Sequence, residues 1–256
     1  MLVALFVAFF AVSLGSVAVL VLHLVPATPG LFVAIAGLNG LLAWMILRAY
    51  VRYHRVFRLV SDGAGELFDL AISHLEATAR GRLLRQHYAA RRAQGLVAAG
   101  DPLGALAAVE RLTSAPRLRP EERLNARVVE VEANLLLDQR FWAERALTQA
   151  RALAGAQRHA GLRAVEARLR HLDGDATGAA QALRPLTGRW WCTAHHFPLQ
   201  RVTRVRNLLW LGEALAAAGR HGQARRALEL ARRLAPASWY GRAAARALAA
   251  ASPPGA

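Results

Sequence analysis

The chain has 256 residues, 33 Lys+Arg against 17 Asp+Glu for a formal net charge of +16, 55% hydrophobic residues and a mean hydropathy of +0.22. That apolar content excludes a disordered polar chain. The single cysteine, Cys192, excludes an internal disulfide framework and zinc modules built on several thiolates.

The first charged side chain is Arg48, so the amino-terminal segment carries no Asp, Glu, Lys or Arg. A first apolar run, 2–25, is interrupted only by Ser13, Ser16 and His23. At a rise of ~1.5 Å per residue it reaches ~36 Å, enough for a ~30 Å hydrocarbon layer. A second run, 31–47, is near the lower limit for a span, with Trp44, Tyr50 and Tyr53 at its far end as interfacial aromatics. Between them, Pro26, Pro29 and Gly30 turn the chain. The segment 1–50 therefore reads as a transmembrane helical hairpin. A cleaved signal peptide fits less well, because no basic residue precedes the run and the run is long.

Arg48, Arg52, Arg55 and Arg58 follow the second run, while the inter-span loop is uncharged. Arginine accumulates on the cytoplasmic flank, so both termini are expected in the cytoplasm of an inner or plasma membrane protein. These arginines either contact anionic headgroups or serve only as the topology signal; both roles are compatible. Asn39 is expected to meet Ser13, Ser16 or a backbone carbonyl, with Gly37 and Gly40 allowing close helix approach. No ionisable side chain lies at mid-membrane, which argues against a transport pathway.

Residues 51–81 read as a basic juxtamembrane and connecting segment, with an amphipathic helix over 64–80 carrying Leu67, Leu70, Ala71, His74 and Leu75. From 82 to 250 the chain is dominated by Ala, Leu, Arg and Glu, and all positive charge is arginine. The clearest unit is 208–236, LLWLGEALAAAGRHGQARRALELARRLAP. Gly212 is small where two helices approach, Gly219 closes the first helix, Ala224, Leu228 and Ala231 form one face, and Pro236 ends the second helix. The phrase AQGLVAAGD at 93–101 repeats GEALAAAGR at 212–220, followed by Ala105, Val109, Leu112 and Pro116. Two weaker units place Val131-Glu132-Ala133 and Val165-Glu166-Ala167 34 residues apart. Their second helices carry Ala143, Leu147, Ala150 and Ala179, Leu183, Leu186. The turn at Asp138-Gln139-Arg140 lacks glycine, and that at Asp173-Gly174-Asp175 reads two residues longer.

These units resemble the tetratricopeptide repeat at its small-residue, turn-glycine, alanine and terminal-proline positions. The resemblance implies stacked helix pairs whose first helices line a concave groove that binds peptides. The expected fold is all-α: an N-terminal transmembrane hairpin, then a tetratricopeptide-like α-solenoid of about four helix pairs, a capping helix over 239–250 and a disordered tail, 251–256. The layout is similar to bacterial inner-membrane tetratricopeptide proteins associated with haem synthesis, in architecture only.

Alignment of the units puts Gln94, Glu132, Glu166 and Glu213 at one position, which the family tends to turn to the groove; His87, Asn125, His159 and Arg206 fall seven residues earlier. They would form an acidic stripe for a basic or amide-rich peptide, or be ordinary solvated helix positions. The stripe predicts that Glu132→Ala with Glu166→Ala abolishes capture without loss of helicity. Trp190, Trp191, Cys192, His195, His196 and Phe197 form an unusual segment, read mainly as packing. One thiol and two adjacent imidazoles fall short of a four-ligand metal site and of an oriented nucleophile pair. No phosphate loop, HExxH, GxSxG or dinucleotide motif occurs. The expectation is therefore a non-enzymatic, membrane-anchored adaptor that recruits a protein partner and has no assigned metal, cofactor or small-molecule substrate. Arginine-mediated binding of an anionic membrane surface or nucleic acid, or a non-catalytic place in a membrane enzyme complex, are the alternatives.

Overall fold

The computed structural model describes residues 29–156, 159–188 and 198–251. Among these the chain is all-α, with eleven helices and no strand. Two compact units divide it, Met1–Arg55 and Val56–Ala256.

The first helix, α1, spans Pro29–Ser61. It contains the apolar run 31–47 and continues through Arg48, Arg52, Arg55 and Arg58. Leu38, Leu41, Trp44, Met45 and Leu47 are exposed, and the Arg48 guanidinium lies 5.1 Å from the Trp44 ring centroid. Among the described residues no helix is long and apolar enough to cross a membrane. The expected first span 2–25, with Ser13 and Ser16, lies outside the described residues, as do 189–197 and 252–256.

The second unit begins with the end of α1, where Phe57 and Val60 are fully buried and Phe57 packs 5.4 Å from Phe68. Ten helices follow: α2 Gly65–Thr78, α3 Arg82–Ala99, α4 Pro102–Thr113, α5 Pro120–Leu136, α6 Arg140–Ala154, α7 Ala160–Leu172, α8 Ala176–Thr187, α9 Pro198–Ala217, α10 His221–Leu234 and α11 Trp239–Ala251. From α3 to α10 they form four pairs.

Local chemistry sets the ends of these helices. Pro102 and Pro120 occupy first turns, where a missing N–H costs nothing. Asp101 caps α4 by accepting from the Gly104 amide at 2.9 Å, and Asp175 caps α8 from the Gly178 amide at 2.8 Å. The four intra-pair turns close alike. At Gly100 the amide donates to the Val97 carbonyl at 3.0 Å while Asp101 donates to Leu96 at 2.9 Å, a Schellman closure. Gly219 repeats it toward Ala216, with Arg220 donating to Leu215, and Gly174 toward His171, with Asp175 donating to Arg170. Asp138 takes the left-handed conformation without a glycine, at φ 57°; a short polar side chain tolerates it.

These turns correct the repeat register. The α5–α6 and α7–α8 connections both span three residues, 137–139 and 173–175. The second is not longer; the two units are 36 residues apart, Asp138 to Gly174. In that register the buried Ala126, Val128, Val129, Val131 and Ala133 match the buried Leu162, Ala164, Val165, Ala167 and Leu169. The position shared with Gln94, Glu132 and Glu213 is therefore Arg168, not Glu166. The similar VEA tripeptides concealed the shift.

The second helices bury the expected faces, Ala105, Val109 and Leu112; Ala143, Leu147 and Ala150; Ala179 and Leu183; Ala224, Leu228 and Ala231, except that Leu186 is only half-buried. Along the first helices, α3 packs on α5, α5 on α7, α7 on α9 and α9 on α11. Both α9 and α11 also pack on α3. The inner helices therefore close into a ring, instead of leaving an open groove. Gly100 makes the closure possible, because a Cβ there would collide with the Trp239 ring.

Candidate functional site

Ring closure decides where the expected groove residues lie. Glu132 and Arg206 are each 5% exposed and form an ion pair with one another. The Tyr240 hydroxyl, from α11, donates to the other Glu132 oxygen. Arg206 also donates to Asn207 Oδ1 through Nε at 3.1 Å and Nη2 at 2.9 Å, and its guanidinium lies 4.8 Å from the Trp210 ring centroid. Burial, together with the Glu132 carboxylate, raises the Tyr240 hydroxyl far above its ordinary pKa against the opposing charge of Arg206, so it stays a donor. This network joins α5, α9 and α11 across the interior. A charge pair out of water is tolerable only with such complete hydrogen bonding.

The other acidic positions are also occupied. Arg151 Nε donates to Glu166 at 2.7 Å, Arg168 pairs with Glu213, and Arg91 Nη1 donates to Gln94 Oε1 at 2.7 Å. The acidic stripe is thus replaced by paired charges. Of the residues seven positions earlier, His87 Nδ1 lies 3.4 Å from Glu122, which Arg119 also reaches at 3.0 Å. Burial alone would raise the Glu122 carboxyl, but the His87 hydrogen bond and the His87, Arg91 and Arg119 charges outweigh it and leave it low. His159 sits one residue before α7: Nδ1 accepts from the Leu162 amide at 3.1 Å, which assigns the proton to Nε2, and that N–H donates to Asn125 Oδ1 at 3.1 Å. Burial lowers its pKa, partly opposed by Glu121. His159 and Asn125 are therefore joined as a capping pair.

What remains open is the mouth of the ring. A cleft of about 420 Å³ lies among α5, α7, α9 and α11, walled by Leu135, Leu209, Trp210 and Trp239. Arg168 and Glu213, already paired, lie on one side, and Arg246 on the other. The wall thus mixes apolar rings and aliphatics with the Arg168–Glu213 pair, and Arg246 has no ion-pair partner among the described residues. Reading the sequence missed Tyr240, Trp210 and Arg168. The available signal was a buried-type tyrosine in the last helix, whose hydroxyl needs a partner.

Arg48, Arg52, Arg55 and Arg58 are all exposed; Arg58 pairs with Asp62 at 3.3 Å. Trp190, Trp191, Cys192, His195, His196 and Phe197 lie outside the described residues. Among the described residues no group of three or more His, Cys, Asp or Glu side chains could hold a metal. No protein-family model, curated protein or solved structure matches the chain.

Proposed function

We propose that this chain is a membrane-anchored, non-enzymatic scaffold of tetratricopeptide-like repeats, which receives a partner protein at the mouth of its helical ring. The observation that carries the reading is the 420 Å³ cleft walled by Leu135, Leu209, Trp210 and Trp239 with Arg246 at its edge. Concave apolar sites with a few polar groups are where proteins receive ligands and partner side chains. Because Glu132, Glu166 and Glu213 are matched by arginines, the cleft favours an apolar side chain flanked by a carboxylate over a basic peptide. Support for the membrane part comes from the uncharged segment before Arg48 and the arginines that follow it. On this reading residues 48–256 face the cytoplasm.

The test plugs the cleft without removing an interaction. Ala247→Trp in the full-length chain should reduce partner recovery in crosslinked pull-downs from native membranes by about tenfold. Retained recovery in a variant of unchanged helicity would refute the assignment. For localisation, the full chain should stay in the membrane fraction through a high-salt wash and leave it only with detergent.

A further inference from the structure

A second cavity, of about 220 Å³, lies at the end of α2, along α3 and beside the end of α4. Four arginines line it, Arg82, Arg85, Arg92 and Arg111, with Glu76 as the acid. Arg92 is already held: its Nε donates to Asp69 at 2.6 Å, and Nη1 lies 3.8 Å from Glu76. Among the described residues Arg82, Arg85 and Arg111 have no carboxylate partner; Arg111 Nε reaches only its own helix, at the Ala107 carbonyl, 3.3 Å away. Gln86, 5% exposed, forms part of the wall: its Nε2 donates to the Pro116 carbonyl at 3.3 Å, while its Oε1 makes no hydrogen bond.

Unmatched arginines are unavoidable in a chain with this charge excess, and most can point separately into water. Here three converge from two helices on one concavity. All three are exposed, and Glu76 is the one carboxylate on the lining, so the concavity keeps an excess of positive charge. The first turn of α3 adds to it: it carries no acid, and Gly81 before it has no side chain to cap the free amides. A guanidinium fork matches tetrahedral oxyanions by paired hydrogen bonds, and several forks around one volume favour a phosphate over a single carboxylate.

We propose that this pocket binds a phosphate-type anion, either the phosphodiester of a lipid headgroup or a soluble phosphate ester, ligated by Arg82, Arg85 and Arg111. The site is separate from the partner cleft and does not depend on it.

Calorimetric titration of the full-length chain in neutral detergent tests this with inorganic phosphate, glycerol 3-phosphate and short-chain phosphatidylglycerol, with short-chain phosphatidylcholine as the neutral comparison. At least one anionic probe should bind saturably. Its affinity should fall about tenfold or more in Arg85→Gln/Arg111→Gln and remain unchanged in Arg226→Gln, an exposed arginine on α10. Arg85→Lys should fall between, since a point charge replaces the fork. Tighter binding of phosphatidylglycerol assigns the headgroup, and tighter binding of the water-soluble ester assigns the free anion; either supports the site. Absence of saturable binding overturns it, as does an equal loss in Arg226→Gln or no loss in the double variant. If the double variant loses helicity, Arg82→Gln on the exposed first turn carries the same comparison.

Discussion

At the scale of single residues, the decisive atoms are two Glu132 oxygens, each with its own partner, Arg206 and Tyr240. Removing the carboxylate leaves a buried guanidinium without a counter-charge, so Glu132→Ala should cost about 3–5 kcal/mol. Tyr240→Phe removes one hydrogen bond to a charged group and should cost about 1–3 kcal/mol. Replacing both Glu132 and Arg206 by leucine should cost less than the sum of the single changes, measurable as a coupling in denaturant unfolding. It follows that Glu132→Ala is a stability variant and cannot report on peptide capture. His159 supplies a pH dependence. Its imidazole is held below its ordinary value by burial, so the unfolded chain binds the extra proton and stability falls as pH drops through the ordinary imidazole range. His171, also lowered mainly by burial, acts in the same direction. The melting temperature should fall between about pH 7.5 and about pH 5.5, and fall less in His159→Asn, which keeps a capping acceptor. An identical slope in that variant would exclude His159 as a source.

At the scale of elements, two glycines on one helix pair act oppositely. A Cβ on Gly212 would stand 2.6 Å from Leu228 Cγ and 2.7 Å from Cδ2, where α9 meets α10. Gly212→Ala should therefore destabilise by about 1–3 kcal/mol through overpacking. A Cβ on Gly222, in the first turn of α10, meets nothing within 4 Å. Gly222→Ala should stabilise by up to about 1 kcal/mol by reducing the freedom of the unfolded chain. Thermal unfolding of the two variants gives the comparison. The pair boundaries were legible because each depends on a few adjacent residues, such as Gly219 after α9 or Pro102 entering α4. The register of the third pair was not. Residues with equal hydrophobicity recur at several offsets in an Ala- and Leu-rich helix, so only the turn at Gly174 separates a spacing of 34 from one of 36.

At the scale of the second unit, ring closure makes the last helix part of the first repeat's environment. Trp239 packs on Gly100, and Tyr240 bonds α5. Truncation after Ala237 should then lower amide-exchange protection in α3 and α5, far away in sequence, as well as in α9 and α10. An open solenoid would lose protection only in the helices next to the cut, since its stability is a sum of nearest-neighbour terms. Protection unchanged in α5 would show that the closure contributes little.

By itself the sequence determined the helical class, the faces each second helix buries and the sites of most turns, because these follow from local propensity, 3.6-residue periodicity and capping chemistry. It also placed Glu132, Arg206 and Glu213 on inner helices. Whether those side chains meet a peptide, water or one another depends on how far each helix pair rotates on the last. That rotation is the sum of many small packing contacts and leaves no local signature. Only the tertiary structure brings α9 and α11 back to α3, so that a surface the linear pattern leaves open becomes an interior with its charges matched, while three unmatched arginines line a cavity elsewhere, between α3 and α4.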